Sequence, residues 1–451
     1  MDLDNIITFL KNVDEIKTAR MLLDTLAKYS NTVQQLDALG KNYCEIKQYS
    51  DAAKWALKAL TIAPDNQSLY SIRANLAKLY NHMNDPEQAL FYLKLNEIVT
   101  PNDPEVLLEQ TFSYFLLNEK QKSEDILREM VKRTDISEQV MNRVKFNLGT
   151  YDLYHGEFQK GLKGFILEGK KLDIWKSVNL PFTFWDGGIV IGKTIIIVAE
   201  GGIGDEIISV RFMKQLKDFG MNPIWYTTRK DIANIFNRHG YTAITTLGAV
   251  PKDSLWTYSM SLPIYLDLQP TDLWSGQYLQ VSDQYKEKWS WMKSNNSNKI
   301  KVGIRWSGNP AYEHDLHRSV PLNQLYNAIK DKGYEIYSLQ RDEGADDINQ
   351  FPEIIDLQHK LVSYEDTMAA MNNLDIIITS CTSVLHVAAA MNKRVYGLIP
   401  TTAYYTWCSQ DEYHSQWYSE QLTLFRQKKL RDWTQPIQQL TDALNKKWGM
   451  S

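Results

Sequence analysis

Asp205, Arg318 and two hydroxyl-bearing loops stand just after apolar runs, and these residue types suit proton transfer beside a bound anion. Asp205 closes the turn Glu200-Gly201-Gly202-Ile203-Gly204-Asp205, directly behind the β-branched run Thr194 to Ala199. Gly202 and Gly204 lack the Cβ atoms that hold a substrate off the backbone, and a carboxylate there can serve as a general base. The plainer alternative is a tight turn in which Asp205 only caps the next helix. Gly202-x-Gly204 also begins a dinucleotide fingerprint. Ile207 replaces its third glycine and no acid follows Thr227-Thr228-Arg229, which argues against NAD.

Ser307, Gly308 and Asn309 form a turn behind the run Lys301 to Trp306, with Arg318 a short way on. Hydroxyl, amide and guanidinium groups in that order can hold a diphosphate and offset its charge; a loop with a surface arginine is the alternative. Thr382 and Ser383 follow a second run, Leu374 to Thr379, and open the helical stretch Val384 to Met391. A helix start offers free N–H groups and a positive dipole end to an anion, though capping alone accounts for one of the hydroxyls. His386 lies one turn later, where a packed histidine competes with a ligand. Gln340 ends another strand beside Arg341, in reach of a nucleotide.

Composition limits what these groups can serve. With 451 residues, 43% hydrophobic and 23% charged, the chain has room for two to four domains. A net charge of −4 and only short basic clusters predict no nucleic-acid partner. Cys44, Cys381 and Cys408 are scattered, which fits a reducing, cytoplasmic setting without disulfides or zinc. No run reaches the ~20 apolar residues of a membrane span, and the first thirty residues lack the pattern of a signal peptide. The D-x-D motif Asp2-Leu3-Asp4 stands far from the candidate groups, and no cluster has ligand spacing, so no metal is expected.

Two kinds of element position these residues. Residues 1–32 read as an N-terminal helical cap. Over 33–175, small and aromatic positions recur at a tetratricopeptide period: Leu39-Gly40, Tyr43, Ala52, Ala59 and Pro64, then Leu76-Ala77, Tyr80, Ala89 and Pro101, then more loosely to Gly161 and Phe165. Three to four helical hairpins stacked this way present a concave binding surface, or serve as a spacer or dimerisation arm. Trp55 is the one tryptophan of thirteen before Trp175, which marks a boundary there. Strands then alternate with helices over 189–293 and again over 299–430, with the polar run Ser294 to Asn298 as linker and a terminal helix over 433–448. The fold class is α/β behind an all-α repeat region, with two Rossmann-like halves that each imply a parallel sheet.

Seven ordered motifs carry a resemblance covering nearly the whole chain. Phe184-Trp185-Asp186-Gly187 resembles a W-D-G entry, Ala199 to Asp205 resembles A-E-Q-G-L-G-D, and Val302 to Pro310 is similar to V-G-L-x-W-x-G-N-P. His317 to Leu322 is similar to R-S-I-P-L, Ser338-Leu339-Gln340 to S-L-Q, and Thr382 to Ala388 to T-S-V-A-H-L-A, while Leu424 to Gln427 matches L-F-R-Q. The chain resembles the bacterial and phage tetratricopeptide-repeat glycosyltransferases of the GT-B fold, related to O-linked N-acetylglucosamine transferases and heptosyltransferases. The resemblance implies a metal-independent enzyme without cofactor, in which Asp205 is the acceptor base. Ser307, Asn309, Arg318, Thr382 and Ser383 would hold the diphosphate of a nucleotide sugar, with Gln340 near its base or ribose. A protein, peptide or glycan acceptor would dock on the repeats. Cys381 departs from the family's aspartate and Gly201 from its glutamine. Two alternatives stay open: a repeat scaffold whose transferase half is catalytically silent, and a heptosyltransferase-like enzyme of glycan assembly.

Overall fold

The computed structural model describes residues 16–174, 178–248, 250–294, 299–310, 312, 315–341 and 344–448. Asp2-Leu3-Asp4, most of the expected cap and residues 295–298 of the expected linker lie outside them. The chain divides into two compact units, Met1–Val144 and Lys145–Ser451.

The first unit is a run of helices: α1 (Ile16–Ala27), α2 (Val33–Glu45), α3 (Tyr49–Ile62), α4 (Asn66–His82), α5 (Pro86–Val99), α6 (Pro104–Leu116) and α7 (Lys120–Met130). Its joints are written in the sequence. Asn84-Asp85-Pro86 and Asn102-Asp103-Pro104 each place asparagine in the left-handed region (φ 61° and 62°), aspartate as N-cap and proline in the first turn. Each residue sits where its backbone preference is cheapest. Thr32 adds a capping box to α2. Leu36, Leu39, Tyr43, Ala52, Ala59, Leu76 and Ala77 are buried in one apolar cluster, so the small positions of the repeat are packing positions.

Helix α8 (Glu138–Tyr154) crosses the division between the units, and its partner α9 (Phe158–Leu162) runs on through a π-helical turn, Lys163–Glu168. The sequence-based junction lies near 175, yet Leu153, Phe158, Leu162 and Ile166 are buried in one cluster with Trp185, Ile195 and Ile207. From Lys145 onward this last hairpin therefore packs as part of the second unit.

Two parallel sheets form the rest of that unit. The first has the order β1-β5-β2-β3-β4, from β1 (Thr183–Phe184), β2 (Thr194–Val198), β3 (Asn222–Tyr226), β4 (Ala243–Ile244) and β5 (Leu255–Tyr258). The second has the order β11-β10-β9-β6-β7-β8, from β6 (Lys301–Arg305), β7 (Glu335–Ser338), β8 (Ile355–Asp356), β9 (Ile376–Ser380), β10 (Val395–Ile399) and β11 (Leu422–Arg426). Central strands of such sheets are buried on both faces, hence the unbroken Ile195-Ile196-Ile197 and Ile376-Ile377-Ile378. Helix α10 (Ile203–Val210) follows β2, and α11 (Ser383–Ala390) follows β9.

Candidate functional site

The segments behind the carboxyl ends of β2, β6, β7 and β9 carry the sequence-predicted residues, and ligands of parallel sheets lodge at such ends. Asp205 is the third residue of α10. Its Oδ2 accepts the Gly202 N–H at 2.7 Å, so Gly202 holds the N-cap position and Asp205 braces the helix start from inside the first turn instead of capping it. The carboxyl group is also buried, which pushes its pKa up to about 6, and the Tyr404 hydroxyl from the loop after β10 hydrogen-bonds to it. The neighbouring Glu206 faces the core. It accepts from Trp225 Nε1 at 3.0 Å and from Arg229, whose other arm reaches the Gly201 carbonyl at 3.2 Å and so braces the turn.

Gly204 has a different task from the one its spacing suggests. A Cβ there would sit 2.7 Å from His386 Cδ2, so the missing side chain makes room for α11 against α10, not for a substrate. A Cβ at Gly202 would meet Asp205 Oδ2 at an ordinary 3.5 Å, whereas Gly201 is left-handed (φ 74°) and a Cβ would lie 2.5 Å from that oxygen. His386 lies across the same contact from Gly204. Its ring stacks on Trp407 at 4.8 Å and its Nδ1 pairs with the Tyr418 hydroxyl at 2.9 Å. Burial and the nearby Arg211 hold it neutral, at about 3. It is a seam residue.

Gln340 also turns inward. Fully buried, its Oε1 accepts the N–H groups of Trp306 (3.3 Å) and Ser307 (3.1 Å), and its Nε2 donates to the Ser307 carbonyl at 3.2 Å. It clamps the loop after β6 rather than facing a nucleotide base. The Ser307 and Ser319 hydroxyls lie 3.4 Å apart, and Asn309 is exposed.

Arg318 ties this loop to the one after β9. Its Nε donates to Asp315 Oδ1 at 2.8 Å, its Nη1 donates to the Cys381 carbonyl at 3.1 Å, and its guanidinium lies 4.5 Å over the Tyr312 ring. A Cβ on Gly308 would fall 2.5 Å from Nη2, so the glycine lets the guanidinium seat against the turn. Thr382 caps α11 by position, but its hydroxyl turns to the Thr379 hydroxyl at 3.3 Å, and that of Ser383 pairs with Tyr364 at 2.8 Å. Cys381 takes the Trp407 indole N–H on its sulfur at 3.1 Å, and burial raises its thiol pKa.

The structure thus brings Asp205, Ser307, Gly308, Arg318, Thr382 and Ser383 to the strand ends of one unit and withdraws Gly204, His386 and Gln340 into its packing. Sequence reasoning missed Tyr404 and Asp315. Asp315 was signalled by its opposite charge three residues before Arg318; Tyr404 had only its place behind β10. Among the described residues, no group of three or more His, Cys, Asp or Glu gathers as a metal site, and no helix is long and apolar enough to cross a membrane.

No family model and no curated protein matches the sequence. Among solved structures, the chain is similar to a family 9 glycosyltransferase from Veillonella parvula at 10% identity and a TM-score of 0.36, covering 59% of this chain and 92% of that one. It is similar to the ADP-heptose heptosyltransferase II of E. coli at 13% and 0.33, covering 56% and 98%. An O-GlcNAc transferase mutant from Thermobaculum terrenum follows at 10% and 0.31, covering 83% and 84%. These neighbours are glycosyltransferases. Superpositions this loose carry no residue roles across, so roles here rest on the geometry above.

Proposed function

We propose that the chain is a glycosyltransferase of GT-B architecture that moves a sugar from a nucleotide-diphospho-sugar to an acceptor hydroxyl. The observation that carries this reading is a buried carboxylate, Asp205, touched by Tyr404 from the loop of the other sheet, with Arg318 closing the adjoining strand ends. Asp205 takes the proton of the acceptor hydroxyl as its oxygen attacks the anomeric carbon. The bond from that carbon to the diphosphate breaks, and the negative charge leaves with the nucleotide. Arg318 meets that charge with the N–H groups Asp315 and Cys381 leave over, and the amino end of α11 adds its dipole. A carboxyl group near 6 is ionised at neutral pH and more basic than an ordinary aspartate.

In this reading Ser307, Asn309, Thr382 and Ser383 line the diphosphate, and no metal is given a role. The helical hairpins of the first unit, read as tetratricopeptide repeats, dock a protein, peptide or glycan acceptor in the cytoplasm. One observation favours a second reading, a scaffold that senses a nucleotide sugar without turnover: Asp315 already neutralises Arg318. A calorimetric screen of the wild-type chain and Arg318→Ala against UDP, GDP, ADP and CMP and their sugar conjugates separates these. One sugar nucleotide bound selectively, weakened by the substitution and slowly consumed, supports the transferase. Binding without consumption supports the sensor, and silence across the panel refutes both.

A further inference from the structure

Glu206 and Arg229 form an ion pair that no step above uses. Glu206 follows Asp205 on α10 and is fully buried; its Oε1 accepts from Arg229 Nη1 and its Oε2 from Trp225 Nε1 at 3.0 Å. Arg229 stands in the loop behind β3, with its backbone N–H on the Thr227 hydroxyl at 3.1 Å. Burying a carboxylate is costly, and an apolar pair of the same volume would pack here at least as well, so stability alone does not explain the pair.

The second arm of the guanidinium supplies a reason. Arg229 Nη2 donates to the Gly201 carbonyl at 3.2 Å, while the Gly202 N–H donates to Asp205 Oδ2 at 2.7 Å. That carbonyl and that N–H belong to one planar, trans peptide group, so they point in opposite directions. The arginine therefore grips one side of a plate whose other side holds the carboxylate. Both residues of the plate are glycine: Gly201 is left-handed (φ 74°), Gly202 is extended (φ −87°, ψ 178°), and neither has a Cβ to stop the peptide between them from turning over. Turned over, it would aim a carbonyl oxygen at Asp205 in place of an N–H.

We propose that Arg229 is a positioning residue for Asp205: by holding the Gly201 carbonyl it locks the Gly201–Gly202 peptide with its N–H toward the carboxylate, and Glu206 holds Arg229 in place. A donor on the carbonyl also polarises the amide and strengthens the bond its N–H makes. Because Glu206 adjoins Asp205 on α10, the brace is anchored on the helix that carries the proposed base. The planar fork of arginine reaches both partners at once, which a point donor such as lysine does not.

The proposal rests on the glycosyltransferase reading in taking Asp205 as the base. NMR on the full chain with isotope-labelled glycine tests it through the Gly202 amide, assigned by its loss in Gly202→Ala. Exchange of this amide with water is expected to be about tenfold faster in Arg229→Met and in the double variant Glu206→Gln/Arg229→Met. The double variant keeps an oxygen for Trp225 Nε1 and leaves no charge buried alone, so it decides if the single variant fails to melt as a folded protein. Wild-type exchange in a folded double variant would reduce the pair to a structural one and overturn the proposal. In a transfer assay kcat should fall about tenfold with KM unchanged; a raised KM with kcat unchanged would assign Arg229 to substrate binding and also overturn it. A loosened Gly202 amide in a chain whose wild type consumes no nucleotide sugar would sink the transferase reading and leave the brace standing. Transfer with an unmoved amide would do the reverse.

Discussion

Replacing Asp205 by Asn removes a charge while keeping a side-chain oxygen that can accept the Gly202 N–H. Burial lifts this carboxyl group from 3.8 to about 6, and at about 1.4 kcal/mol for each factor of ten the rise is worth about 3 kcal/mol. The sign follows from which state ionises first. The unfolded chain gives up the proton near 3.8 and the folded chain only near 6, so the folded state loses ground as pH climbs between these values and carries the full penalty above them. The asparagine variant carries none of it. Its melting temperature should therefore gain on the wild type as pH rises from about 4.5 to about 8, by about 5 °C for a unit of this size. Titrating groups outside the field of Asp205 are common to both proteins and cancel in the comparison, while Glu200, which feels that field, is raised less in the variant and moves the difference in the same direction. In the same variant, loss of the base should cut sugar transfer by about 10²–10⁴-fold and leave nucleotide-sugar binding intact. A melting difference that stays flat across this range would show that Asp205 is not held as a raised, buried carboxyl, and the base assignment would lose its electrostatic support.

Arg318→Ala removes the bonds to Asp315 and the Cys381 carbonyl, and calorimetry should find nucleotide-sugar affinity lower by about 10–100-fold. Gly204→Ala drives a methyl group to 2.7 Å from His386, so the melting temperature should fall by the equivalent of about 1–3 kcal/mol, while Gly202→Ala, with 3.5 Å available, should change it much less. Gln340→Leu strands the N–H groups of Trp306 and Ser307; a loss of about 1–3 kcal/mol on thermal unfolding, with faster amide exchange in the loop after β6, is the expected result.

The alternation of strands and helices was legible because buried parallel strands print themselves as β-branched runs, as at Ile195–Ile197 and Ile376–Ile378. The helical hairpins were legible because the packed faces of paired helices need small residues at fixed spacing. β1, β4 and β8, two residues each, are too short to hold any period, and the π-helical turn over Lys163–Glu168 differs from an α-helix by one residue per turn, below what a pattern resolves. Within the candidate site, Asp205, Ser307, Arg318 and Thr382 were found because a strand end is a local feature. The direction in which each side chain points is a tertiary one. Gln340 and Ser307 both end strands in the sequence, yet one clamps the other, because a loop that leaves a buried strand must pair its N–H groups somewhere.

The same distinction sorts the polar residues at these strand ends by what they still have to give. Gln340 spends both ends of its amide on the Trp306-Ser307 backbone, and His386 spends its ring on Gly204, Trp407 and Tyr418. Neither has the capacity to hold a ligand without undoing the fold beneath it. Arg318 engages two partners with five N–H groups, and Asp205 accepts one backbone N–H and one hydroxyl on a carboxylate with about four acceptor positions. A side chain with positions to spare can take up a substrate while the bonds that orient it persist, and that surplus, more than nearness to a strand end, makes Arg318 and Asp205 the residues on which the proposed chemistry turns.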